Sequence, residues 1–235
     1  MVSKKNFYIL LFSLSVSNKQ GSIFASLVCS NTYKASELFM LALVIPCIIF
    51  FLKLAPYIIL ILWAITMYTI AVYTFSDDKV ELKASFDGAI LLWVCVRWMV
   101  CVVLLLALTY QLFPDKLFLI QSNRPGLIWK ILILYPILSA LPQEFVFCRF
   151  FFHRYRCFFG EGIVMVAMSA VAFCIAHILF LNWVAPILGL IAGYLFANTY
   201  RKTGSLAMVT LEHSLYGNAL FAIGLGWFFW GGSVA

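Results

Sequence analysis

LIWKILILYPILSALPQEFVFCRFFF, residues 127–152, is apolar almost throughout, yet it carries a carboxylate, Glu144, well inside it. The run exceeds the roughly 20 residues that carry a helix across a bilayer. An ionised side chain at the bilayer centre costs roughly 2.5–3.5 kcal/mol on insertion scales, so such a residue faces a polar interior and marks a functional site. The stretch therefore reads as a transmembrane helix built around a buried acid. His153, Arg154, Tyr155 and Arg156 follow it as a polar end.

Outward from this run the whole chain has the same character. Of its 235 residues 65% are hydrophobic and 11% charged, against about 45–50% and about 25% in soluble domains. The fold class is all-α, a polytopic transmembrane bundle, because helices satisfy every backbone polar group within lipid. At about 20 residues per crossing the length allows about seven to eight spans. These are expected at 37–52, 55–75, 89–112, 127–152, 163–181 and 183–199, with a last one from 205 that the Gly-rich tail extends or follows with a short eighth. A polar loop is expected over 76–88, and the short run 7–16 reads as an interfacial segment. Residues 1–126 then supply extra spans and 127–235 the functional core.

The net charge of +7 does not indicate nucleic acid, because the basic residues are dispersed to span ends. With the N-terminus cytosolic, that side holds Lys4, Lys5, Lys79, Lys83, Arg154 and Arg201 among others, whereas the opposite side holds Lys53, Lys116, Arg124 and Lys130. The seven cysteines lie mostly in apolar runs without a Cys-x-x-Cys pair, and read as small core hydrophobes.

Two further ionisable groups sit at membrane depth: His177 in FCIAH (173–177) and His213 in LEHSLYGN (211–218). Counted along their helices from the cytosolic ends, Glu144, His177 and His213 all lie at roughly 15–21 Å depth. Three groups at one depth on three helices can converge. Glu212 projects about 100° from its neighbour His213 and is expected to reach Arg201 or Lys202. For Glu144 the structural alternative is a pairing with Arg149 or Arg97.

These elements, in this order, resemble the CPBP family, the CAAX-protease and bacteriocin-processing intramembrane endopeptidases. The family pattern is Glu-Glu-x-x-x-Arg, Phe-x-x-x-His and His-x-x-x-Asn on three helices of a four-helix core. Phe173 and His177 fit the second motif, and His213 opens the third. Gln143 stands for the first Glu, Glu144 matches the second, and Cys148 replaces the Arg, with Arg149 one residue late. Alternatively Glu144 aligns with the first Glu and Arg149 with the Arg. Gly217 takes the Asn position, with Asn218 one residue late.

The resemblance implies hydrolysis of a peptide bond in a membrane-associated protein or peptide, within a membrane that the bacterial members make a bacterial inner membrane. Glu144 is then the base that activates water, His177 positions it, and His213 and Asn218 bond the oxyanion. Gln143, Arg149 and Tyr216 support the site, and Arg149, Arg154 and Arg156 line the cytosolic mouth. No cofactor is implied. Two alternatives stand beside this reading. One Glu and two His also match a catalytic zinc set, although His-Glu-x-x-His is absent. The departures at Gln143 and Cys148 also fit an inactive scaffold or immunity protein.

Overall fold

The computed structural model describes residues 28–75 and 87–230, which contain helices and no strand. The short run 7–16, most of the polar loop and the last five residues lie outside this range. The principal helices are α1 (Asn31–Phe51), α2 (Ala55–Phe75), α3 (Gly88–Leu112), α4 (Pro125–Arg154), α5 (Ile163–Ile178), α6 (Val184–Thr203) and α7 (Leu206–Ile223). α1 to α4 are long and apolar enough to cross a membrane. α5 is apolar but shorter. α6 and α7 carry polar groups, Arg201 and Lys202 in one and Glu212 and His213 in the other, that dilute their hydropathy.

Local chemistry sets the helix ends. Ser30 Oγ accepts from the Tyr33 amide at 3.2 Å and starts α1, earlier than the apolar pattern predicted. The earlier start brings Lys34 into the helix, where it and Glu37 are both buried. Asp87 caps α3, Asn182 Oδ1 accepts from Ala185 N at 2.8 Å to cap α6, and Ser205 caps α7. These side chains satisfy amide groups that a helix start leaves unpaired. α7 stops at Gly224, whose φ of +116° favours glycine and whose Cβ would overlap the Lys116 carbonyl.

The core lies among α4 to α7. Phe150, Phe152, Met165, Phe173, Phe196, Tyr200 and Val209 are buried there. α5 and α6 pack as a close antiparallel pair because Gly189 and Gly193 leave room. A Cβ at Gly193 would sit 3.0 Å from Phe173 Cβ, and one at Gly189 would sit 3.1 Å from His177 Cγ. Small residues four apart are the usual means of close approach between membrane helices. α7 packs against α6, α4 and α3, α2 lies along α4, and α1 packs on α5. α3 turns Leu92, Trp93, Val103 and Leu104 outward, as a lipid-facing helix does.

Arg154 does not line a mouth. It is 1% exposed, with Nε 2.6 Å from Glu37 Oε2 and Nη2 2.8 Å from the Val28 carbonyl. Tyr68 and Tyr155 hydroxyls also donate to the Glu37 carboxylate, so this ion pair fastens α1 and α2 to the end of α4.

Candidate active site

Glu144 sits between two wide turns of α4. Pro136–Ala140 and Phe145–Phe150 are π-helical, and Leu141–Glu144 between them is α-helical. Pro136 and Pro142 lack the N–H that a regular ladder uses, and wide turns of this kind recur at functional sites. The Glu144 side chain is fully buried. Its Oε1 lies 2.6 Å from His213 Nδ1, and its Oε2 accepts from Cys148 Sγ at 3.1 Å. Neither Arg149 nor Arg97 pairs with it. Arg149 donates to Tyr73 Oη at 3.2 Å and lies over that ring, and Arg97 pairs with Glu212.

His213 is held by its ring as well as by its acid partner. It stacks on Phe196 at 4.6 Å and meets Phe173 edge-on at 5.6 Å. Its Nε2 lies 2.8 Å from the Tyr135 hydroxyl. With the proton on Nδ1, facing the carboxylate, Nε2 is an acceptor and Tyr135 donates to it. The tautomer follows from this network. The result is one chain of contacts, Glu144 to His213 to Tyr135, drawn from α4, α7 and α4 again.

His177 donates from Nδ1 to the Phe173 carbonyl at 2.7 Å, which leaves Nε2 as the ring nitrogen available to a ligand. Among the described residues no hydrogen bond joins it to Glu144 or His213. It shares with His213 the wall of a cavity of about 40 Å³, enough for a water molecule. A second cavity of about 890 Å³, almost wholly apolar, runs beside it between α1, α2, α4 and α5. Tyr135, His177 and Phe229 border both spaces.

The remaining expected residues divide. Gln143 Nε2 donates to Ser139 Oγ at 2.7 Å, and both line the large cavity. Tyr216 borders the small cavity with its ring, but its hydroxyl turns to Cys101 Sγ at 3.9 Å. Asn218 lies outside the chamber. One residue past Gly217, it is rotated about 100° along α7, and Nδ2 donates to the Leu132 carbonyl at 3.2 Å. Glu212 reaches neither Arg201 nor Lys202. It pairs with Arg97 on α3, because the face of α7 that carries Glu212, about 100° round from His213, packs there. Arg156 is exposed and pairs with Glu161. Among the described residues no three His, Cys, Asp or Glu side chains converge as a metal's ligands do.

Sequence reasoning missed Tyr135. Its contact with His213 depends on Gly217, because a Cβ there would overlap the Tyr135 ring. The usable signal was that pairing: a glycine at a motif position that calls for a side chain, and an aromatic residue on a facing helix.

Residues 125–230 match the family model described as "Type II CAAX prenyl endopeptidase Rce1-like". The matched segment contains α4 to α7, including Glu144, His177 and His213. No curated protein and no solved structure matches the chain.

Proposed function

Because residues 125–230 match the model of the Rce1-like type II CAAX prenyl endopeptidases, we propose that this integral membrane protein cleaves a membrane-associated protein or peptide by a glutamate-dependent attack of water, without a metal. The observation that carries the reading is the fully buried Glu144 bonded to His213 beside a cavity that admits water. An acid and an imidazole in hydrogen-bond contact are the parts general base catalysis needs.

Glu144 has both oxygens engaged, so it acts through His213. Water in the small cavity attacks the scissile carbonyl carbon. Its proton passes to His213 Nε2, and the carbonyl π pair moves onto oxygen. Glu144 fixes the tautomer that keeps Nε2 basic and then stabilises the imidazolium. When the C–N bond breaks, the departing amine takes that proton back. His177 orients the water through Nε2. The apolar cavity beside the chamber suits a substrate that arrives from the bilayer with apolar groups attached. Gln143, Arg149 and Tyr216 support the site at one remove, through their contacts with Ser139, Tyr73 and Cys101. The N-terminus faces the cytosol of a bacterial inner membrane, as the Lys and Arg distribution favours, and residues 127–235 act as the catalytic unit.

The test is cleavage of membrane-anchored peptides by the full chain in proteoliposomes, with Glu144→Gln, His177→Ala and His213→Ala as variants. Product formation is expected to fall at least about 10²-fold in each, with the parent retaining activity in chelator. Unchanged product with Glu144→Gln sinks the reading and favours a non-catalytic scaffold. Loss in chelator, restored by zinc, replaces the metal-free mechanism.

A further inference from the structure

The chamber needs a hydrogen-bond donor for the oxygen on which negative charge develops, a large contribution to acyl-transfer catalysis. Asn218 faces the Leu132 carbonyl, and the position one turn after His213 is Gly217, which has no side chain. Tyr135 fills that space. An ideal Cβ at Gly217 would overlap Tyr135 Cε1, Cζ and the hydroxyl oxygen. The ring from α4 therefore occupies the volume that a side chain on α7 would take.

Position and contact give that hydroxyl a task. It is 2.8 Å from His213 Nε2, and its ring borders both the small chamber and the large apolar cavity. A substrate entering from the large cavity meets Tyr135 and His177 before it reaches His213. Tyr135 is the last residue of the regular first part of α4, and the wide turn beginning at Pro136 follows it.

We propose that Tyr135 is a catalytic residue, the phenolic donor to the oxyanion, standing in for the absent side chain at Gly217. In the resting state its O–H donates to His213 Nε2. When a scissile carbonyl enters, the O–H turns about the C–O bond to the carbonyl oxygen. Nε2 is thereby freed to accept the proton of water. One movement supplies the oxyanion donor and uncovers the base. Tyr135 keeps its proton throughout, so no further group is required. The inference rests on the hydrolytic reading above and assigns it a residue.

Two measurements on the full chain in proteoliposomes test it. The first is turnover of an internally quenched, farnesylated CAAX peptide. Tyr135→Phe keeps the ring against Gly217 and removes only the hydroxyl, so kcat is expected to fall about 10²–10³-fold while KM changes less than about threefold. The second needs no turnover. A phosphinate analogue of the same peptide mimics the tetrahedral anion, and Tyr135→Phe is expected to weaken its binding at least about thirtyfold while binding of the amide peptide stays unchanged. A merely structural tyrosine would alter both ligands alike. Tyr135→Phe with parental kcat, or with equal effects on the two ligands, overturns the inference. If Glu144→Gln abolishes turnover in that same series, the hydrolytic reading survives and only the role of Tyr135 falls. If Glu144→Gln turns over normally, the hydrolytic reading falls with it.

Discussion

Glu144 and Glu212 are both fully buried in the same bundle, and their surroundings differ in one decisive respect. Glu212 is paired with Arg97 and linked through that guanidinium to Thr199. This ion pair ties α7 to α3. Glu144 faces the imidazole of His213, a group that can accept a proton at one ring nitrogen while donating from the other, and that imidazole borders a cavity. The Glu37–Arg154 pair, buried at the end of α4, belongs with Glu212. Two acids in one core therefore differ in their partners, an imidazole for one and a guanidinium for the other, and burial alone does not distinguish them.

The comparison can be broken first at Arg154. Arg154→Ala leaves Glu37 buried without its cation, and removing one partner of such a pair costs about 3–5 kcal/mol. Denaturation in detergent is expected to report that loss, while the folded fraction cleaves substrate at the parental rate. Reduced turnover per folded molecule would move Arg154 into the functional group. Gly193→Val is expected to cost less, about 1–3 kcal/mol, because its side chain meets Phe173 and the Ala170 backbone across the α5–α6 contact. Displaced α5 carries His177 with it, so turnover should fall further than stability alone explains. The smallest effect is expected at the exposed Arg156–Glu161 pair. Arg156→Ala should change stability by less than about 1 kcal/mol, and a larger change in the melting curve would mean that this pair anchors the α4–α5 turn.

Much of this was legible in the sequence because long apolar runs leave a helix bundle as the only solution. The same rarity of ionisable groups singled out Glu144, His177 and His213, and the structure brings His213 onto Glu144 and sets His177 at the same small cavity. What was not legible depends on rotation and long-range pairing. Arg97 and Glu212 are 115 residues apart, so the nearer Arg201 and Lys202 were the natural guess. Asn218 was expected in the chamber from its offset to His213, but one residue of helical rotation turns it to the α4 backbone. The wide turns around Glu144 shift every side chain of α4 relative to a regular helix, and apolar periodicity does not encode them. Tyr135 reads as one more aromatic in an apolar run until the glycine facing it is known.

The central claim is that Glu144 serves chemistry and Glu212 serves the fold. It is tested most directly by comparing Glu144→Gln with Glu212→Gln in the same proteoliposomes, reading turnover per folded molecule alongside the melting temperature. The account predicts that Glu144→Gln loses at least about 10²-fold in turnover with little change in melting. Glu212→Gln should melt earlier, yet turn over within about threefold of the parent once folded, since its charge takes no part in proton transfer. Parental turnover from folded Glu144→Gln, or equal losses of turnover in the two variants at intact fold, would contradict it.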